Sequence, residues 1–204
     1  MVERAQLKAH AKQSLQGKWG IAIGTLLVNS IILGAAGVTY VGTLILSGVL
    51  EVGLAIVFLE IIRNWQCEFG DMFKGFNNFG TTCLAGILKS VFTFLWSLLF
   101  VIPGIVKAYS YSMTGYILAD HPEMSPDEAI TASRQMMDGH KADLFVLDLS
   151  FIPWYLLCGI TFGLAGFYVI PYVTATKAAF YEALKAENAP AYEETPADGD
   201  TTVL

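Results

Sequence analysis

Three ionisable residues, Glu51, Lys107 and Asp148, stand inside or against long apolar runs. A charge facing hydrocarbon costs about 2.5–3.5 kcal/mol by membrane-insertion scales, so each is expected to face a bundle interior or to pair. Lys107 with Asp148 is the sharpest expected pair; the competing reading has Lys107 snorkelling outward and Asp148 near the interface. Pro103-Gly104 and Pro171 interrupt the same runs as structural breaks. A helix end freed at a break can present backbone groups to a polar ligand, whereas a plain proline kink would be architecture only. Ser110, Ser112 and Thr114 follow the first break without a base beside them, so no nucleophile is expected. His10, His121 and His140 lack a second ligand at metal spacing, and Cys67, Cys83 and Cys158 form no CxxC and read as small buried hydrophobes. No catalytic, cofactor-binding or metal residues are assigned, and the chain is expected not to be an enzyme.

The elements that must position those residues are apolar. The chain has 204 residues, 54% hydrophobic and 15% charged, against about 25% charged in a soluble domain. No charged residue occurs between Ile21 and Leu50, or between Leu149 and Thr176. Each run exceeds the roughly 20 residues that cross a hydrocarbon core. The net charge of −6 comes largely from the tail after Lys185, which holds Glu187, Glu193, Glu194, Asp198 and Asp200. That tail, 186–204, reads as a disordered acidic segment following a helical transmembrane domain at 1–185. Basic residues are too dispersed for a nucleic-acid footprint. Residues 1–18 are too polar for a signal-peptide core.

Residues 3–16 predict an amphipathic surface helix. Leu7, Ala11 and Leu15 fall on one stripe, Arg4, Lys8 and Lys12 on another, and Gly17 ends it. Trp19 marks the entry to an apolar hairpin turned at Gly34–Gly37 and Gly42, with Asn29 and Glu51 as polar exceptions. Phe69, Phe73, Phe76 and Phe79 suggest an interfacial amphipathic turn. A third span is expected over about 82–102 with Lys89 near its start, then a shorter apolar segment from Pro103-Gly104 to Ala119. Ser125, Pro126 and Glu128 make a capping box and a favourable first turn, with Gly139 as the stop. Fifth and sixth spans follow at about 144–162 and 164–181.

These pieces repeat. Gly17, Gly75 and Gly139 each end an amphipathic segment and precede an apolar hairpin, and Val-Ile-Pro recurs at 101–103 and 169–171. With six spans, Arg4, Lys8, Lys12, Lys18, Arg63, Lys74, Arg134, Lys141 and Lys185 share one side. The positive-inside rule then puts both termini in the cytoplasm. Lys107 fits this scheme badly, lying near the opposite turn.

The segments LKAHAKQSLQGKWGIAIG, FVIPGIVKAYSYSMTGYILAD and SPDEAITASRQMMDGHKADLFVLDLSFIPW resemble a bacterial integral-membrane family catalogued as domain of unknown function 975. The resemblance runs from residue 3 to about 185. The Pro-Gly, Glu-Ala-Ile and Gly-His elements are more distantly similar to membrane domains attached to some glycerophosphodiester phosphodiesterases. Neither resemblance brings an activity or site residues, and the chain has no phosphodiesterase domain. The expectation is an all-α polytopic bundle of the bacterial inner membrane: about six spans in three hairpins, with short amphipathic interfacial helices. Its expected partners are membrane lipids and a protein partner or second copy. The expected role is a small-solute or lipid-related transport or envelope-maintenance component; the alternative is a structural or interaction module whose cytoplasmic helices bind a protein or lipid headgroups.

Overall fold

An apolar chain in lipid must satisfy every backbone N–H and C=O internally, which favours helices. The computed structural model, which describes residues 4–37, 40–63, 67–99 and 101–188, is all-helical among those residues. In order these are α1 (Arg4–Ser14), α2 (Trp19–Ala36), α3 (Tyr40–Ile62), a 3-10 helix (Phe69–Phe76), α4 (Phe79–Leu99), α5 (Val101–Ser110) and α6 (Thr114–Asp120). α7 (Pro126–Met136), α8 (Lys141–Leu149), α9 (Ile152–Ile160) and α10 (Gly166–Asn188) complete it. Four stretches are long and apolar enough to cross a membrane: Trp19–Ala36, Gly42–Ile62, Phe79–Leu98 and Lys141–Ile160. The α5–α6 and α10 segments, also expected as spans, are not among the four. The first is interrupted, and the second carries Lys177, Glu182, Lys185 and Glu187.

α3 is the hub, and small residues let its neighbours reach its backbone. A Cβ on Gly48 would sit 2.9 Å from the Gly86 Cα of α4, so the two helices touch main chain to main chain. The 3-10 helix meets α3 the same way. A Cβ on Gly75 would fall 2.9 Å from the Gly53 nitrogen. Thr82 closes this corner, its hydroxyl 3.3 Å from the Gly75 carbonyl.

Three breaks differ from the sequence expectation. α5 already begins at Val101, so Pro103-Gly104 lies within that helix rather than ahead of it. Gly104 is there because Ser97 leaves no room for a Cβ. A second interruption at Tyr111–Met113 separates α5 from α6, and Ser133 of α7 fills it. The Ser133 hydroxyl donates to Ser110 O at 2.9 Å and accepts from the Met113 N–H at 3.2 Å, serving backbone groups that the break orphans. The expected span over 144–162 divides at Ser150–Phe151, just before Pro153, whose missing N–H suits the first turn of α9. Lys8 donates to the Ser150 carbonyl at 3.3 Å and lies 4.1 Å over the Phe151 ring. Pro171, by contrast, breaks nothing: α10 runs through it.

α1 is less superficial than its pattern suggests. Leu7, Ala11 and Leu15 are buried, with α1 packed on α10, while Arg4 and Lys12 stay exposed. The stop at Gly17 has φ +79° and that at Gly139 φ +82°, conformations that favour glycine. Gly75, the middle member of the series, has another role: it serves close approach, with no positive φ. The capping box of α7 is formed, with the Ser125 N–H donating to Glu128 Oε2 at 2.8 Å and the Glu128 N–H reaching Ser125 Oγ at 3.4 Å. α10 continues to Asn188, so residues 186–188 of the expected disordered tail are helical; 189–204 lie outside the described residues. The cysteines are half-buried rather than buried.

Candidate functional site

Each of the three charges expected to need a partner can be located. Glu51 of α3 pairs with Lys89 of α4 at 2.5 Å, in space kept open by Gly115, where a Cβ would lie 2.9 Å from Glu51 Cγ. Asp148 of α8 pairs with Lys177 of α10 at 3.1 Å and accepts from the Tyr109 hydroxyl at 3.1 Å. The expected Lys107–Asp148 pair is therefore replaced. Lys107 instead lies 4.8 Å over the Trp96 ring, and it lines an opening with Arg134 and Lys141. The turn from Gly139 into α8 and the seating of α7 on the α5–α6 break bring those basic residues to it. Its place is beside the polar α7–α8 corner, which is why it looked anomalous when read only along its own segment.

A larger polar cluster was not singled out from sequence. Asp120, its side chain 8% exposed, lies 2.7 Å from both Arg63, just past the end of α3, and Lys185 of α10, and accepts from the Tyr181 hydroxyl at 3.1 Å. Arg63 also donates to Glu182 at 2.8 Å. Burial opposes the Asp120 charge, but Arg63 and Lys185 outweigh it and hold the carboxyl below its usual range. Asp120 in turn raises Arg63. Tyr181 and Lys185, four apart on one helix face, were the available signal; nothing in the sequence tied them to Asp120 or Arg63. This cluster joins α3, α6 and α10, and with every member engaged its chemistry is that of a clasp.

Between α3, the 3-10 helix, α4 and α6 lies a cavity of about 350 Å³. Val52, Ile56 and Leu118 make its floor, and Glu60, Lys74, Asn77, Asn78 and Thr81 its polar wall. Lys74 reaches Glu60 at 3.3 Å and Asp71 at 2.7 Å. Burial works against the Asp71 charge, but Lys74 and the Glu68 N–H outweigh it and lower its pKa. Glu60 Oε2 is buried without a hydrogen-bond partner among the described residues. The Asn78 amide donates to Pro122 O at 2.7 Å and fixes the rim. Phe69, Phe73, Phe76 and Phe79, the expected interfacial series, contact one another in sequence beside this site; Phe69, Phe73 and Phe79 are exposed.

Large apolar side chains cover much of the remaining surface. Leu98 is 74% exposed, Ile102 75%, Ile160 76% and Phe162 99%. Such a surface needs an apolar surrounding. All-helical among its described residues, with four stretches long and apolar enough to cross a membrane and with charges paired between helices, the chain has the features of a helical membrane protein. More particularly, the chain belongs to the family described as protein of unknown function (DUF975), whose model matches residues 1–110 and 98–188. No curated protein matches the chain, and no solved structure does.

Proposed function

We propose that the protein is a non-enzymatic multi-pass component of the bacterial inner membrane, with six spans in three hairpins and cytoplasmic termini. In this reading it serves small-solute or lipid-related transport or envelope maintenance, and takes its ligand in the cavity beside Glu60. The observation that carries the reading is that cavity: an apolar floor beneath a wall of amide, hydroxyl and charged groups suits an amphiphile or a small polar solute. Glu60, held by Lys74 at 3.3 Å, sets a carboxylate in the cavity wall. The interior charges support it less, because Glu51 and Asp148 are already neutralised by lysines.

The test is native mass spectrometry of the protein released from detergent, with wild type compared with Glu60→Gln and Thr81→Leu. A bound mass on wild type, lost in Thr81→Leu with helicity unchanged, is the expected result. A wild type without any bound mass, or one retained by both variants, would contradict the reading.

A second reading, a structural or interaction module whose cytoplasmic helices bind a protein partner or lipid headgroups, is favoured by one observation. The capped α7 leaves Asp127, Glu128, Thr131, Arg134 and Gln135 exposed. Crosslinking from Asp127→Cys to another polypeptide would support it.

A further inference from the structure

We infer that the opening between α5, α7 and α8 binds the phosphate of an anionic phospholipid headgroup. Lys107, Thr131, Arg134, Gln135, Asp138 and Lys141 surround a space of about 290 Å³. Three cations against one carboxylate leave a formal charge of 3 − 1 = +2 at this site. Asp138 is committed to Lys141 at 3.2 Å. Among the described residues neither Lys107 nor Arg134 has a carboxylate within ion-pair distance. An arginine fork and a lysine, with Thr131 and Gln135 as further donors, match the oxygens of a phosphate.

The arrangement is built rather than casual. Ser133, next to Arg134, is fully buried and bonded to both sides of the α5–α6 break, so α7 cannot slide relative to Lys107. Gly139, with φ +82°, turns the chain so that Lys141 returns to the same opening.

The occupant is a lipid rather than free phosphate because of what borders the opening. Ile105 and Val106 precede Lys107 on α5, Phe94 and Trp96 face out from α4, and Phe145 and Val146 follow Lys141 on α8; all are exposed. A basic opening at the edge of an exposed apolar surface lets the headgroup neutralise the cations while the acyl chains cover the hydrocarbon side. Trp96, stacked under Lys107, is the interfacial aromatic expected at such a boundary.

This inference rests on the chain lying in a membrane and not on the cavity beside Glu60. The experiment titrates detergent-purified protein with short-chain phosphatidylglycerol, with phosphatidylcholine of the same chain length, and with inorganic phosphate, read by native mass spectrometry. Wild type should retain phosphatidylglycerol over phosphatidylcholine, and Lys107→Met with Arg134→Gln should weaken phosphatidylglycerol about tenfold or more, from two lost cations. Asp138→Asn, which removes the one carboxylate and no packing, should retain or tighten it. Thr81→Leu should leave it unchanged, which separates failure here from failure at the cavity. Equal retention of the two lipids, unchanged phosphatidylglycerol binding in the double variant, or loss of binding in Asp138→Asn would overturn the inference. Full competition by inorganic phosphate at matched concentration would reassign the opening to a free anion.

Discussion

Where α3 meets α4, α6 and α10, helices touch through glycine backbones and through Asp120, which draws in Arg63, Lys185 and Tyr181. Near the end of α4, the start of α5 and the α9–α10 turn, Leu98, Ile102, Ile160, Phe162 and Leu164 point outward with little protein around them. The first region is solvated by the protein itself, so each atom has an assigned place. The second depends on an apolar surrounding, and its own order is local. In the α9–α10 turn, Gly163 N–H donates to Cys158 O at 2.7 Å, and the Thr161 hydroxyl accepts from the Ala165 N–H at 3.0 Å. Phe162, at φ +51°, is held there by those bonds rather than by packing. The difference predicts that similar substitutions act very differently in the two regions.

The largest effect should come from Gly86→Leu. Its side chain would begin 2.6 Å from the Gly48 Cα, and two backbones cannot yield as a side chain tip would. Overpacking costs about 1–3 kcal/mol even where side chains can move, so the upper end or loss of fold is expected in thermal unfolding followed by circular dichroism. Gly159→Ala, in α9 with open space around it, should be neutral or stabilise by about 1 kcal/mol. Equal losses at both sites would erase the contrast.

Next is Arg63→Met, which leaves Asp120 and Glu182 each short of a cation. About 2 kcal/mol is expected, below the range for fully buried pairs because Lys185 still serves Asp120. Acid should act on the same clasp. The Asp120 pKa is lowered on folding, so its contribution is present above the unfolded value of about 3.9 and is lost as pH falls through the lower folded value. Melting temperature should therefore drop more steeply below about pH 4 in wild type than in Asp120→Asn. Parallel curves would remove Asp120 from that role.

The smallest effect is expected from Ser125→Ala. It removes the cap of α7 for about 1 kcal/mol, seen as faster amide exchange in residues 127–130 with the clasp unaffected. Slowed or unchanged exchange there would contradict it.

The helices and their apolar character were legible because period and composition are local properties. So was the α7 cap, since Ser125, Pro126 and Glu128 act within one turn. What escaped reading was pairing between elements. Lys89 and Lys177 lay in the sequence as plainly as Lys107, but which lysine meets Asp148 depends on how α8 packs against α10, and no spacing along the chain encodes that. Pro171 misled for a physical reason: a long helix can keep its course when a proline removes one backbone bond, and the break went instead to Tyr111–Met113, where Ser133 was available to satisfy the freed groups. The cavity beside Glu60 depends on four elements meeting and left no linear motif.

In the proposed topology the apolar turns and the polar helices lie on opposite sides of a membrane. Its most direct test replaces the three cysteines by serine, introduces Ala35→Cys or Asp127→Cys, and labels proteoliposomes with a membrane-impermeant maleimide before and after permeabilisation. Residue 35 lies at the end of α2 and residue 127 in the first turn of α7, both exposed. In vesicles of uniform orientation, one site should label at once and the other only after permeabilisation. Labelling of both sites from the same side would contradict the account.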